Sequence, residues 1–267
     1  MFIMFLTDFG LEDDFVGTCH GVIKGIAPDA EIIDITHGIS PHSVLEGALV
    51  LANTLPYMPV GIHVAVVDPG VGTDRRGLVL ESADGRILVG PDNGLLLPAA
   101  ERAGGVAAAH ELTNRRYAVE PVSRTFHGRD LFSPAAAHLA LGVPPEQLGP
   151  ALDPASLVRL DLPEPYIGTS RIRATILYVD RFGNIQLNVR RTTLEEVGLS
   201  PGDQVELELG GDRYYAIVAR TFADARRGDI ILYEDAYRNV AVAISGGSAA
   251  ATFSAQAGQE LRINFTS

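Results

Sequence analysis

Three short segments of the 267-residue chain gather polar side chains that solvation alone does not explain. The first, TDFGLEDD at residues 7–14, sets the carboxylates Asp8, Glu12, Asp13 and Asp14 directly behind an apolar run. A carboxylate at such a place can accept two hydrogen bonds from a sugar diol, ligate a metal, or cap the next helix by accepting its free N–H groups. Asp13 and Asp14 stand where a helix N-terminus favours an acid. Asp8 lies several residues earlier, and capping explains it less well. The second segment, VVDPGVGTDRRG at 66–77, ends an apolar run at Asp68 and carries Arg75 on the same glycine-rich connection. The two are close enough to pair, either as a structural salt bridge or as a tuned carboxylate, and the guanidinium is expected to favour the charged form of Asp68. Gly70-Val71-Gly72 hints at a dinucleotide fingerprint, but the following GLVLES is strand-like, so that reading fails on context. The third, RTFHGRDLFSPAAAHLA at 124–140, holds His127 between Phe126 and Gly128, before a helix expected from about Asp130. An imidazole in a glycine-flanked loop is suited to proton handling, whereas His138 falls inside that helix and reads as packing or surface.

Alternating apolar runs must position these residues. FIMFL, EIIDI and IHVAVVD read as strands, and DDFVGTCHGVIKGI and SVLEGALVLANTL as helices. Such alternation implies a parallel sheet covered on both faces. Ligands then bind beyond the carboxyl ends of the strands, where Asp8 and Asp68 fall. Residues 142–170 are proline-rich without sustained period and read as a linker. Beyond them RIRATILYVD, GNIQLNV, QVELELG, RYYAIVA, DIILYED, NVAVAIS and ELRINF are strand-like runs separated by turn residues. The expected fold class is therefore α/β. It has an N-terminal α/β domain, residues 1–160, with a mostly parallel central sheet, and a smaller C-terminal antiparallel β-barrel-like domain, residues 161–267. No internal repeat is expected, and the alanine-rich patches at 107–109 and 135–137 are the only compositional bias.

Composition removes several function classes. A net charge of −12 argues against a nucleic-acid partner, which would need a basic face. Lys24 is the only lysine, so a Walker-type loop, a kinase strand lysine and a pyridoxal Schiff base lack their carrier, and the Asp8-Phe9-Gly10 tripeptide is no kinase signature. Lys24 is expected near the C-terminal end of the first helix, where a cation complements free carbonyls. The single cysteine, Cys19, excludes an internal disulfide or a multi-thiolate zinc site and reads as a small buried residue. With no run of about 18 apolar residues and no cleavage signal, neither a membrane span nor a membrane partner is expected, and the location is expected to be cytoplasmic.

TDFG near the N-terminus, VVDPGVG followed by Arg75, GPDNGLL at 90–96, TFHGRD at 125–130 and YVDRFGNIQLN at 178–188 together resemble, in order and over nearly the whole chain, the S-adenosyl-L-methionine (SAM) hydrolases. These are also called SAM hydroxide adenosyltransferases and are related to SAM-dependent fluorinases and chlorinases. The resemblance implies hydrolysis of SAM to adenosine and methionine, with SAM as substrate and neither cofactor nor metal. It also implies a homotrimer with sites at subunit interfaces, the C-terminal domain contributing adenine and methionine contacts. By motif position it assigns Asp68, Arg75 and His127 to catalysis and Asp8 to the ribose, with Asp13 near the ligand. It places Asp180 at the methionine amino end, Phe182 at the adenine and Asn184 as its hydrogen-bonding partner. Ser245 and Gly246 would offer backbone groups to adenine. Departures are informative: the halogenases carry tyrosine in place of Asp68, serine in place of Gly128 and tryptophan in place of Gln186. An anionic Asp68 repels a halide, so hydrolysis is expected over halogenation. Ala236 stands where a serine would grip the amino-acid end, and Ser245 where asparagine is common.

The chemistry suits these residues. A sulfonium leaves from ribose C5' without an acid or a metal, so the enzyme must supply a positioned, desolvated water, which Asp68 would orient and deprotonate. Three alternatives stay open at this stage. They are a SAM-dependent halogenase, a SAM- or adenosine-binding sensor without turnover, and a metal-dependent phosphoesterase built on Asp8, Asp13, Asp68, His127 and Asp130.

Overall fold

The apolar run behind the first acidic segment forms strand β1, Phe2–Thr7, and its residues Ile3 to Leu6 are fully buried. In the computed structural model, which describes residues 1–266, β1 lies inside a six-stranded sheet ordered β2-β1-β3-β5-β4-β6. The partners are β2 (Glu31–Thr36), β3 (Ile62–Val66), β4 (Gly77–Ser82), β5 (Ile87–Pro91) and β6 (Val106–Glu111). The pairs β1–β2, β1–β3 and β3–β5 are parallel, and β4 runs antiparallel to β5 and β6. Helices α1 (Phe15–Ile26), α2 (Val44–Thr54), α3 (Leu97–Arg102) and α4 (Ser133–Ala140) complete this unit. Because side chains alternate along β1, Ile3 and Phe5 join one core with Cys19 and Ile23 of α1 and Ala135–Ala137 of α4. Leu6 joins the opposite core with Leu51 of α2 and Ala99 of α3. The alanine patch of α4 gives close packing on α1, and burial pushes the Cys19 thiol up to about 11, as suits an inert core residue. Lys24 donates to the carbonyls of Ala30 at 2.6 Å and Pro28 at 3.1 Å, satisfying acceptors just past the end of α1.

The chain clusters into two compact units, Met1–Leu160 and a second beginning at Asp161. The first part of the expected linker is no linker. Leu152 N–H donates to Ala109 O at 2.8 Å, Glu111 N–H to Pro150 O at 3.0 Å and Thr113 N–H to Leu148 O at 3.1 Å. A methyl at Gly149 would sit 1.8 Å from Glu111 O, so glycine is required for this approach. Further on, Asp92 accepts from Val158 N–H at 2.9 Å. Sequence periodicity misses this segment because its order comes from backbone bonds to β6, not from a helical or strand pattern of its own.

The second unit is built from β7 (Tyr166–Ile167), β8 (Arg171–Val179), β9 (Ile185–Arg190), β10 (Gln204–Leu209), β11 (Asp212–Ala219), β12 (Ile230–Glu234), β13 (Asn239–Ile244) and β14 (Glu260–Asn264). Its strand order is β14-β10-β11-β12-β13-β9-β8-β7, and β14 also pairs with β8, so the sheet closes into a barrel with β7 appended outside β8. Pairing is antiparallel except between β11 and β12. Inward-facing Ile172, Leu187, Leu207, Val218, Val242 and Ile263 fill the interior. Two short helices, α5 (Arg191–Glu196) and α6 (Ala249–Phe253), escape the strand-only expectation. Among the described residues, no helix is long and apolar enough to cross a membrane.

Candidate active site

Parallel pairing of β1 with β3 in the register Thr7↔Val66 brings Asp8 and Asp68 out at the same edge of the sheet. Both line a cavity of about 250 Å³ together with Phe9, His42, Phe126 and His127. Asp8 accepts the His42 N–H at 2.9 Å through Oδ2. Phe9, Phe15 and Phe126 wall the cavity with mutual ring separations of 5.1 to 5.9 Å, so the carboxylates face an apolar surface.

The loop after β3 is a chain of tight turns. Val71 N–H donates to Asp68 O at 3.2 Å, and the Thr73 hydroxyl donates to Gly70 O at 2.7 Å. Gly72 has φ +79°, and a Cβ there would lie 2.2 Å from the carbonyl oxygen of Arg124. This contact docks the Asp68 loop on the loop that carries His127. Gly72→Ala is expected to lower the melting temperature and kcat together, since a left-handed backbone costs an L-residue roughly 1–2 kcal/mol before the collision with Arg124 is counted. Thermal melts and steady-state rates check this, and an unchanged melting temperature would mean that the loops are not docked in this way.

Arg75 grips Asp68 with both edges of its fork. Nε donates to Oδ1 at 3.1 Å and Nη2 to Oδ2, with the two side chains only 7% and 5% exposed. The same Nη2 lies 2.9 Å from His127 Nδ1. A guanidinium has only donors, so Nδ1 must accept, and His127 is the neutral tautomer with its proton on Nε2. The Arg75 guanidinium also sits over the Phe132 ring, 5.4 Å from its centroid. Phe132 closes a π-helical turn, Gly128–Phe132, that begins directly after His127, and such turns recur at functional sites. A Cβ at Gly128 would meet the Phe9 ring at 2.9 Å, so this position is held small by the cavity wall.

Burial raises the Asp68 pKa above its ordinary 3.8, outweighing the opposing pull of Arg75 and His127. Arg75 does favour the charged form, as expected, but desolvation is the larger effect, and the carboxylate is a stronger base than a solvated one. Burial, then the Arg75 charge, pushes His127 below 6.5, so it stays neutral at pH 7. If turnover needs ionised Asp68, kcat/KM falls as pH drops through the raised Asp68 value. The acid limb of the pH profile is thus expected above the 3.8 of an ordinary aspartate. A limb at or below that value would remove the desolvated base from the account.

Other acids of the three segments have different duties. Asp13 is exposed and does not line the cavity. Asp14 occupies the N-cap position of α1 but has helical backbone angles and makes no side-chain cap bond; it accepts instead from the Thr18 hydroxyl at 3.1 Å. Glu12 accepts from Leu11 N–H. Asp130 is fully buried, holding Ser123 N–H at 2.7 Å and Arg129 at 2.6 Å, and these bonds take it out of the five-residue metal set. His138 packs edge-on to Tyr117 with ring centroids 5.0 Å apart.

In the barrel unit a separate cavity of about 820 Å³ is lined by Tyr178, Asp180, Phe182, Asn184, Gln186, Tyr233, Asp235, Tyr237 and Gly246, among others. Asp180 Oδ1 accepts the N–H groups of Phe182 and Asn184, both at 2.9 Å, while Oδ2 accepts Asn184 Nδ2 at 2.8 Å. This ties the turn and leaves Phe182 79% exposed beside the cavity. Ser245 is placed differently from Gly246: it does not line the cavity, and its N–H donates to Asp229 O at 3.0 Å while its carbonyl accepts from Gly228.

Sequence reasoning missed a second copy of this turn. Asp235 Oδ1 accepts the N–H groups of Tyr237 and Asn239, both at 2.8 Å, and Arg238 has φ +66° where Gly183 has +81°. YVDRFGN at 178–184 and YEDAYRN at 233–239 thus form a repeat, Tyr-x-Asp-x-aromatic-x-Asn, that corrects the expectation of none. The spacing was visible, but with three shared residue types in seven it stands out only once both turns adopt the same bonds. The pair faces the cavity with two carboxylates, and burial raises the Asp235 pKa. Burial and these two acids push Tyr233 up to about 12, so its phenol stays protonated. Gln186 is buried, and its Oε1 has no partner among the described residues, which marks it as an acceptor awaiting a donor in the cavity.

Known proteins resemble this chain over most of its length. Residues 3–149 match the model of the SAM hydroxide adenosyltransferase N-terminal domain and residues 174–262 that of the C-terminal domain. A protein of Salinispora tropica named (R)-S-adenosyl-L-methionine hydrolase is 47% identical over 261 residues, 98% of this chain and 97% of its own. A fluorinase of an Actinoplanes species is 30% identical over 288 residues, covering 98% and 96% of the two chains. Among solved structures, an uncharacterized conserved protein of Thermotoga maritima superposes with a TM-score of 0.90 at 36% identity, over 98% of this chain and 99% of that one.

Proposed function

This chain belongs to the SAM hydroxide adenosyltransferase family, and from that premise we propose that Asp68, Arg75 and His127 carry out its reaction. It is a SAM hydrolase: water attacks ribose C5', the C5'–sulfonium bond breaks with its electron pair going to sulfur, and adenosine and L-methionine result. The constellation of a buried Asp68–Arg75 pair with half-buried His127 supports this assignment best. Asp68 orients the water and takes its proton, Arg75 fixes the carboxylate, and the Nε2–H of His127 holds the water oxygen. Asp8 grips the ribose hydroxyls so that C5' points at the water. Asp13 is exposed and does not line this cavity, and a place near the ligand remains part of the proposal.

In the barrel cavity Phe182 stacks on adenine and Asn184, with its amide nitrogen engaged by Asp180, turns its oxygen to the adenine amino group. Gly246 offers backbone groups. Asp180, joined by Asp235 and Gln186 Oε1, receives the methionine ammonium, compensating for the missing serine at Ala236. A homotrimer with its sites at subunit interfaces, a cytoplasmic location and independence of metal belong to the same proposal. The Salinispora relatives are named for the (R) sulfonium epimer, and the same preference is proposed here. The fluorinase relatives make halogenation the second reading, which the anionic Asp68 disfavours.

Chromatography after incubation with each SAM epimer, EDTA and chloride tests the proposal. Equimolar adenosine and methionine without a chlorinated nucleoside is the expected result. A chlorinated product would transfer the chain to the halogenase reading, and unconsumed SAM with folded protein would leave only binding.

A further inference from the structure

Away from both cavities, β2, α1 and the turn after β2 bring His20, Asp34 and His37 together, with one potential ligand atom from each within 4.8 Å of the others. His20 Nε2 lies 2.9 Å and His37 Nε2 3.0 Å from the same oxygen, Asp34 Oδ1. Two imidazoles and a carboxylate at this spacing can be a hydrogen-bonded cluster or a metal site that has closed on itself. His37 decides between them. Its side chain is 3% exposed, yet Nε2 has no hydrogen-bond partner among the described residues, because Asp34 Oδ1 is at bonding distance but off the axis of the ring nitrogen. A buried imidazole nitrogen without an axial partner is costly. A cation placed on that axis removes the cost, and two ligand atoms bound to one ion at about 2.1 Å lie roughly 3.0–3.4 Å apart without pointing at each other. The observed 3.0 Å falls at the short end of that span and the 2.9 Å just below it.

The surroundings supply what such a ligand set needs. His37 Nδ1 is 2.9 Å from Thr7 Oγ1, so its second nitrogen is held by a hydroxyl that orients the ring, and with Nδ1–H donating to that hydroxyl Nε2 is bare and open to an ion. The fully buried Phe5 ring forms an apolar floor, 5.1 Å from the His37 ring and 5.9 Å from that of His20. On the other side, His20 and Asp34 are 30% and 42% exposed, which leaves an entry path and room for water to complete the coordination.

We infer that His20, Asp34 and His37 form a binding site for one divalent transition ion of the zinc, cobalt or nickel type, separate from the catalytic residues. Borderline N/O ligands select this class over magnesium or calcium. The site also connects to the substrate loop. His37 accepts the Gly10 N–H through its carbonyl at 2.8 Å, and Thr7 Oγ1 accepts the Phe9 N–H at 3.1 Å, so the residues on both sides of Asp8 are tied to this histidine. Occupancy therefore stiffens the Asp8 loop without entering the reaction.

The test uses tag-free full-length protein stripped with EDTA and dialysed, then titrated with Zn²⁺ by equilibrium dialysis and with Co²⁺ by visible absorption. One Zn²⁺ per chain is expected, with a Co²⁺ band typical of four- or five-coordination and a melting temperature that rises with Zn²⁺. His20→Ala and Asp34→Asn, both at the accessible side of the site, should fold as the parent does and weaken binding at least about tenfold. They should also lose the band and the thermal shift. Absence of stoichiometric binding in the parent, or equal binding in parent and variants, would overturn the site and leave a hydrogen-bonded cluster. Neither readout depends on SAM turnover, so the result stands apart from that of the proposed reaction.

Discussion

Asp68→Asn should reduce turnover of SAM by about 10²–10⁴-fold, the range that a positioned general base contributes, while adenosine affinity is unchanged. The substitution preserves shape and keeps one oxygen for the Arg75 fork, so the loop stays docked and only the basic carboxylate is lost. Adenosine has no sulfonium and asks nothing of the base, so calorimetry with adenosine separates loss of chemistry from loss of the site. In the proposed assignment its hold on the protein rests on Asp8 and on groups of the barrel cavity. Hydrolysis retained in this variant would remove Asp68 from the reaction and shift attention to water activation by substrate alone. Loss of adenosine binding together with turnover would show that Asp68 acts by shaping the cavity.

Arg75→Ala should be the most destabilising single change at the site. Its guanidinium is 7% exposed and answers both oxygens of a carboxylate that is 5% exposed. Removing one partner of a buried pair leaves the other without compensation, at a cost of about 3–5 kcal/mol. The carboxylate can escape part of that cost by protonation, since burial already favours its neutral form. Activity then falls through the same shift toward the neutral carboxyl, and through release of the His127 ring that Arg75 Nη2 orients. Arg75→Lys should recover stability better than rate, because an ammonium supplies charge but cannot bridge both Asp68 oxygens and His127 in one plane. Denaturant melts with parallel rate measurements would show this separation. A variant at Arg75 with parental stability would mean that the pair is far more solvated than its exposure indicates.

The division of information between sequence and fold is clear at particular residues. Phe2–Leu6 and Ile62–Val66 declare themselves as buried parallel strands by continuous β-branched and apolar runs, and Glu31–Ile35 as a strand beside them that proves half-exposed; Asp8 and Asp68 then fall at strand ends by simple counting. The barrel strands from Arg171 onward are equally legible, since alternation and turn residues are local properties. The ordered motifs were enough to identify the family and to name Asp68, Arg75 and His127 as a set.

Other features arise only when distant segments meet. Residues 142–170 look like a linker because the order of their first part, up to 160, comes from bonds to β6 and Asp92, which no local period records. Asp14 looks like a cap, but the chain enters α1 with helical angles that carry its carboxylate to Thr18. Asp130 looks like a ligand until its carboxylate is found closing the Ser123 loop. The tautomer of His127 and the raised basicity of Asp68 depend on desolvation and on a donor 52 positions away along the chain, quantities set by burial and geometry. The sequence by itself determined the strands, the two-part organisation and the residue types available for chemistry, because period, turn chemistry and motif spacing are local. Tertiary structure alone decided which acid is a base, which is a strut, and which histidines share a carboxylate, because those roles are set by water exclusion and by partners that only folding brings within reach.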